Sequence, residues 1–300
     1  MTQNQQNKTC EPALLALRQD IDKIDDQIIS LLKARMEVVT KVGEFKKNNQ
    51  EKFFIRSNRE ADMIKNLVEK SKDVLSSTTV MGIWRKIITA ANMHEQTLRI
   101  AIHNPRDVVD YAYLVREYYN DLVPIRNFDS VSNVALELEK GEAQIGIFAL
   151  PKNDFDAKVE DAAENWWIAL ANNRNGLKVF AKIPFGEFAD EKKQNDQIEL
   201  VAVAAKNPEK SSDDNSLFYV EVSREISKGQ VLTALKDQGL EAKILKSVKL
   251  HQVDGMVFYL IEVAGFWLEE DEVVKNFSKS KAKGYVKVLG HYARACFQTS

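Results

Sequence analysis

The sequence predicts a multi-domain protein of the α plus α/β class, with an all-helical N-terminal domain, an α/β region and a ferredoxin-like βαββαβ segment. Up to Thr97 the apolar residues recur at helical spacing, whereas beyond it short β-branched runs alternate with helical stretches. The 300 residues are 44% hydrophobic and 29% charged, which is typical of a globular protein with two or three domains.

The first helix is predicted over residues 14–45, where apolar residues keep a heptad register. At the usual rise it is roughly 46 Å long, well above a typical globular helix. Such a helix needs partners along its length, and we expect another chain to supply them. The register is formed by Leu14, Leu17, Ile21, Ile24, Ile28, Leu31, Val38, Val42 and Phe45.

Two further helices complete the N-terminal domain. One is predicted over residues 59–71, with Ala61 and Ile64 on its apolar face. After a polar loop at residues 76–79, the next carries apolar residues from Val80 to Ala91.

The remaining residues predict strands separated by helices. The first group of strands is expected at residues 98–103, 123–128, 145–150, 177–184 and 198–204. A polar linker is expected at residues 206–215. Beyond it the order is strand 217–222, helix 228–238, strands 242–249 and 255–263, helix 268–278 and strand 285–289. The predicted domains are therefore 1–97, 98–210 and 211–300.

Composition argues against several classes of partner. A net charge of −2 and a pI near 6.2 give no field that favours nucleic acid. Cys10 and Cys296 offer neither a disulfide framework nor a metal-ligand spacing. The polar N-terminus and the short apolar runs do not predict a membrane segment. We expect a cytoplasmic protein without a metal site that binds neither nucleic acid nor membranes.

Arg35 interrupts the heptad seam of the first helix between Leu31 and Val38. A guanidinium in an apolar seam is costly unless an anion neutralises it, and that anion is either a carboxylate of the protein or a ligand. Lys46 favours a ligand, because eleven residues are close to three helical turns. The two cations then project about 20° apart and roughly 17 Å along the axis, so their side chains could converge on one small anion.

Arg18 suggests a second copy of the chain. It lies about 100° around the helix from Arg35 and roughly 25 Å away, too far for one straight helix to bring both to one ligand. It could reach the equivalent site of another protomer, which predicts a symmetric dimer with shared sites.

Glu95 continues an apolar stripe of the third helix. Trp84, Ile88, Ala91 and Glu95 follow i, i+4, i+7, i+11 spacing. A carboxyl group placed there is expected to act as a neutral hydrogen-bond donor. The alternative is that Glu95 frays into solvent at the helix end.

These features resemble the all-helical chorismate mutases over residues 12–97. The resemblance rests on LLALRQDIDKIDDQIISLLKARMEVVTKVGEFK, RSNRE and IWRKIITAANMHEQ, where several charged positions agree in order and spacing. It implies an intertwined helical homodimer. It also implies that Arg18 of one protomer and Arg35 of the other grip the two carboxylates of chorismate, while Lys46 and Glu95 bind the ether oxygen.

The resemblance extends to the second helix and the middle of the third. It implies that Glu60 takes the ring hydroxyl and that Arg59 supports the carboxylate side. Arg56 and Ala91 stand where some members carry an acidic residue and a serine, so both are expected against the substrate with rearranged contacts.

The implied activity is that of an isomerase, a chorismate mutase that forms prephenate in aromatic amino acid biosynthesis. The Claisen rearrangement is intramolecular, so it requires no nucleophile, metal or cofactor. The enzyme has to hold the reactive conformer and stabilise charge on the ether oxygen. The expected catalytic residues are Arg35, Lys46, Glu60 and Glu95.

Residues 98–300 resemble, more weakly, the periplasmic-binding-like dehydratase and ACT regions of bifunctional chorismate mutase and prephenate dehydratase proteins. The matches are GEAQIGIFALP and YVKVLGHYA. The Thr-Arg-Phe motif of the dehydratases is missing, since no threonine lies between Thr97 and Thr233. We therefore expect a mutase with a degenerate C-terminal half. The alternatives are a bifunctional mutase and dehydratase, or a non-catalytic dimer used for binding or scaffolding.

Overall fold

The computed structural model describes residues 3–51, 53–105, 111–152, 158–160, 165–188, 198–207, 209–251, 253–280, 282 and 284–298. The chain divides into two compact units. We call Met1–Phe54 with His94–Gln96 the α1 unit, and Ile55–Met93 with Thr97–Ser300 the sheet unit.

The predicted first helix is confirmed and extends further at both ends, as α1 (Gln3–Asn48). Lys46 and Lys47 lie in its last turn, where cations interact favourably with the helix dipole. Gln50 follows in the left-handed region with φ of 58°, which ends the helix. The predicted apolar seam is exposed within the described chain, with Leu31 as much as 70% exposed.

The other two predicted helices are also confirmed. They are α2 (Ser57–Ser71) and α3 (Ser77–Glu95), joined by a short turn. Within the described part of the chain, no helix combines the length and apolar character that a membrane span requires.

The rest of the sheet unit is built on one ten-stranded sheet in the order β2-β1-β3-β7-β5-β11-β8-β10-β9-β4. Its strands are β1 (Ile100–His103), β2 (Ile125–Phe128), β3 (Ile145–Ala149), β4 (Lys158–Glu160), β5 (Leu177–Ile183), β7 (Leu200–Ala205), β8 (Asp214–Ser223), β9 (Ala242–Leu250), β10 (Val253–Ala264) and β11 (Tyr285–Ala293). Two short strands, β6 (Gly186–Phe188) and β12 (Cys296–Gln298), pair separately. The helices are α4 (Tyr111–Tyr119), α5 (Val131–Glu139), α6 (Trp166–Asn172), α7 (Lys228–Lys236) and α8 (Glu272–Lys279).

The multi-domain α plus α/β class is confirmed. In the first part of the sheet, β1 is parallel to β2 and β3, while β7 is antiparallel to its neighbours β3 and β5. In the second part, β11, β8, β10 and β9 are successively antiparallel, with α7 and α8 in the βαββαβ order. That order and direction confirm the ferredoxin-like arrangement, whereas an ACT-type regulatory function stays a prediction.

The sheet continues across the predicted boundary between residues 210 and 211. Strands β5 and β11 pair in parallel where Gly290 meets Val179. Gly290 has φ of 144°, and a Cβ there would overlap the backbone of Val179. Only glycine permits this approach. The predicted boundaries at residues 97 and 210 stay predictions.

Strands β8 and β10 are buried on both faces. Tyr219 and Leu260 belong to one hydrophobic core, while Val220 and Ile261 belong to the other. Successive residues of a strand point to opposite faces, so each of these strands contributes to both cores.

The predicted linker at residues 206–215 makes hydrogen bonds within the sheet unit, and its part as a linker between domains stays a prediction. Strand β8 already begins at Asp214. Both oxygens of the buried Asp214 carboxylate accept hydrogen bonds from Ser211, one from its amide and one from its hydroxyl. Ser212 in turn donates to the carboxylate of Asp62 on α2. The polar residues that suggested a linker bond to other parts of the sheet unit.

Candidate active site

Lys46 and Glu95 form a buried ion pair in the α1 unit. Their residues are 9% and 8% exposed, and Lys46 Nζ lies 2.5 Å from Glu95 Oε2. Lys46 Nζ also donates to the carbonyl oxygen of Phe54 at 2.8 Å and lies 5.4 Å from the centre of its ring. The two residues that the resemblance assigns to the ether oxygen thus lie side by side, while that assignment stays a prediction.

Gly43 lies against Glu95. A Cβ at Gly43 would lie 3.4 Å from Cγ of Glu95, which is an ordinary van der Waals contact, so the backbone of α1 one turn before Lys46 is close to this residue. The loop beside the pair is also fixed, because the amide of Phe54 donates to Gln96 Oε1 at 3.1 Å. Glu95 is therefore packed in place rather than frayed into solvent, which removes that alternative. It accepts from a lysine here, which differs from the expected neutral donor.

Arg35 is a cation of α1 with a buried nitrogen that lacks a partner among the described residues. Its side chain is half-buried, and Nη1 is inaccessible to solvent without a hydrogen-bond partner among the described residues. The structure thus shows no intrachain carboxylate for Arg35 within the described ranges, which favours the ligand alternative. A buried donor without a partner costs free energy that a bound anion would recover.

Glu60 is held by α3 within the sheet unit. Glu60 Oε2 accepts from Arg85 Nη1 at 3.3 Å, and Oε1 accepts from Asn92 Nδ2 at 3.0 Å. Sequence reasoning missed both partners. A signal was available in the sequence: Arg85 is a charged residue next to Trp84, in a mostly apolar stretch of its helix, which suggests a buried carboxylate partner.

The other predicted residues differ in their surroundings. Arg56 forms an ion pair with Glu209, so a carboxylate of the chain already compensates its charge. Lys206 lies 3.1 Å from the same carboxylate, and burial lowers the pKa of its ammonium group. Ala91 is buried on α3.

Two further predicted residues, Arg59 and Arg18, are exposed. No hydrogen bond or ion pair to either is found in the described ranges. An exposed guanidinium of this kind is available to a ligand or to another chain.

The charges of the α1 unit suit a small dianion. Arg35 and Lys46 are cations of one helix, eleven residues apart. A buried lysine beside a carboxyl group and an arginine that lacks a partner can together bind one carboxylate and an acceptor oxygen.

The stretch of chain that contains most of these residues is similar to known proteins. Residues 17–96 match the model of the family Chorismate mutase type II. A bifunctional chorismate mutase/prephenate dehydratase of Aquifex aeolicus is 23% identical over an alignment of 361 residues, covering 95% of this chain and 99% of that protein. The predicted resemblance to chorismate mutases, and to their bifunctional relatives, is therefore confirmed.

Other relatives match a shorter stretch. A protein of the same description from Stutzerimonas stutzeri is 25% identical over 138 residues, covering 45% of this chain and 38% of its own length. Among solved structures, a prephenate dehydratase from Streptococcus mutans has a TM-score of 0.43 at 14% identity, covering 67% of this chain and 100% of that one. A prephenate dehydratase from Arthrobacter aurescens in complex with L-Phe has a TM-score of 0.44 at 15% identity, covering 66% and 90%.

Proposed function

We propose that this chain is a chorismate mutase, an isomerase that rearranges chorismate to prephenate. The observation that carries the proposal is the family match over residues 17–96 together with the charges found there. Within that stretch, Lys46 and Glu95 are buried together, and Arg35 has a buried nitrogen without a partner.

The mechanism assigns each charge to one part of the substrate. Arg35 binds one carboxylate of chorismate and selects the compact conformer in which the reacting carbons approach each other. Lys46 donates to the ether oxygen as negative charge develops during bond breaking. Glu95 supports that donor. Glu60 takes the ring hydroxyl, with Arg59, Arg56 and Ala91 assigned to the substrate by the family resemblance.

We further propose a homodimer in which Arg18 of one protomer completes the site of the other. The support is the exposed seam of α1, where Leu17, Ile24 and Leu31 are more than half exposed. An apolar stripe of that length on one helix is typical of a helix that pairs with another helix. A second copy of the chain supplies an identical seam, and its Arg18 carries no intrachain ion pair in the described ranges.

The test follows chorismate consumption by the full chain and by two lysine variants. Lys46→Ala removes the donor to the ether oxygen, and losing such a donor typically costs about a hundredfold or more in kcat. Lys47→Ala is the matched control, because Lys47 is an exposed residue of the same helical turn. A near-normal rate for Lys46→Ala, or an intact chain that leaves chorismate unchanged, would contradict the proposal.

The Aquifex aeolicus relative favours a second candidate, a bifunctional mutase and dehydratase, because that alignment covers nearly the whole chain. The same reaction should be examined for phenylpyruvate under conditions that exclude acid conversion of prephenate. Phenylpyruvate formation would establish the second activity. Loss of chorismate without phenylpyruvate indicates a mutase alone. If neither reaction occurs, the remaining alternative is a dimer used for binding or scaffolding.

A further inference from the structure

We infer that Arg85 is a positioning residue for Glu60, and that two aromatic side chains of the α/β region hold Arg85 in place. The inference rests on the proposed function, in which Glu60 binds the ring hydroxyl of the substrate. It gives the α/β region a part in mutase activity that requires neither dehydratase chemistry nor an effector.

Arg85 fits a supporting function better than a direct contact with substrate. The residue is buried, and the void beside it measures about 10 Å³, which is the space of roughly one water molecule. A ligand the size of chorismate cannot enter that space. Glu60 keeps acceptor capacity, because a carboxylate offers about four lone-pair sites and Arg85 and Asn92 use two of them.

The guanidinium depends on aromatic neighbours for its position. Its contact with Glu60 is long, at 3.3 Å, and its Nε has no partner among the described residues. The ring of Tyr118 on α4 lies 4.1 Å from Arg85 Cζ, and the ring of Phe185 lies 5.0 Å away. Both distances are within cation–π range. Burial raises the pKa of the Tyr118 phenol to about 12, so this ring stays neutral at any ordinary assay pH.

Helix α2, which carries Glu60, is hydrogen-bonded to the α/β region. Ser57 Oγ donates to the carbonyl oxygen of Phe180 on β5 at 2.7 Å. Asn58 Nδ2 donates to the carbonyl oxygen of Lys210 at 2.8 Å. The α/β region therefore fixes both the helix that presents Glu60 and the arginine that orients its carboxylate.

A double-mutant cycle on the full chain tests the inference. The variants are Glu60→Gln, Arg85→Leu and the combination, with kcat/KM for chorismate as the readout. Arg85→Leu alone should lower kcat/KM about tenfold or more. In the Glu60→Gln background it should change kcat/KM less than about twofold, because a positioning residue has nothing left to position.

A second pair of variants avoids leaving the Glu60 charge without a partner. Tyr118→Leu removes one ring from Arg85 and should show the same dependence on Glu60, whereas Tyr118→Phe keeps the ring and should lose less kcat/KM than Tyr118→Leu. Arg126→Leu is the matched control outside the network, since Arg126 also pairs with a glutamate and lies 5.2 Å from an aromatic ring. Thermal unfolding checks that each variant is folded.

The outcomes separate the two proposals. Losses that multiply independently in the Glu60 and Arg85 variants, in folded proteins, would overturn the positioning inference and leave the mutase proposal intact. An intact chain that does not consume chorismate would overturn the proposed function and the inference that rests on it.

Discussion

The two units of this chain differ in how far their own residues bury their apolar side chains. In the sheet unit, Val220 and Leu260 lie on central strands and are completely buried by the same chain. In the α1 unit, Leu17, Ile24 and Leu31 follow an equally regular pattern but remain exposed. A regular apolar pattern thus predicts a buried surface. It does not indicate whether the same chain or another one buries that surface.

The two units also differ in whether a buried arginine has partners within the chain. Arg85 in the sheet unit has a carboxylate and two aromatic rings around it. Arg35 in the α1 unit has a buried nitrogen that no described residue satisfies. The surroundings of Arg85 are typical of a residue that supports another side chain, whereas those of Arg35 are typical of a residue that binds a ligand.

The largest expected effect comes from placing a charge in the exposed seam. Ile28→Asp should weaken a symmetric dimer by at least about 4 kcal/mol, roughly a thousandfold in dissociation constant, because two carboxylates enter an apolar interface. Sedimentation should then show monomers, and mutase activity should fall with dimer content if Arg18 acts across the interface.

Gln27→Asp is the control for this variant, because it places the same charge at the neighbouring position outside the heptad seam. It should leave the dimer intact. Full activity of an Ile28→Asp monomer would contradict the proposal that the sites are shared between two protomers.

An intermediate effect is expected at the junction of β5 and β11. Gly290→Ala places a Cβ against the backbone of Val179 in a left-handed conformation, so the strands must separate. We expect a loss of about 3 kcal/mol in the free energy of unfolding, measured by denaturant titration. Gly176→Ala is the control, because Gly176 also has a positive φ, of 69°, while its added Cβ meets no atom within 4 Å. Equal losses for both variants would mean that the junction itself contributes little.

The smallest effect is expected from Glu95→Gln. The amide oxygen can still accept from Lys46, and the amide nitrogen can donate to the substrate, so kcat should change by less than about tenfold, or 1.4 kcal/mol. Glu95→Ala removes both functions and should lose considerably more in the same assay. If the two variants lose activity equally, the carboxylate itself is required and the support assigned to Glu95 is wrong.

Local pattern was enough to predict most of the elements. The heptad register predicted α1, and the βαββαβ order predicted β8 to β11 with their intervening helices. These predictions held because the spacing of apolar residues depends only on helical or extended geometry, which is local. The hydrogen bonds of the polar stretch at residues 206–215 could not be predicted in this way, since those to Asp62 join residues far apart in sequence.

In the candidate site too, local spacing predicted some features and missed those that join residues distant in sequence. Arg35 and Lys46 could be linked from the sequence because they lie on one helix, where spacing fixes direction. The ion pair of Lys46 with Glu95 was not predicted, because the two residues are far apart in sequence. The partners of Glu60 were not predicted, because Arg85 reaches that carboxylate from a different helix.

The sequence by itself determined the N-terminal helices, most of the strands, the resemblance of residues 17–96 to a known family and the cations of α1, because each follows mainly from local patterns of residues. Only the tertiary structure decided that one sheet crosses the predicted domain boundary, that Arg56 already has a carboxylate partner, and that Arg85 orients Glu60. Those contacts join side chains distant in sequence, and the packing that brings them together leaves no local pattern.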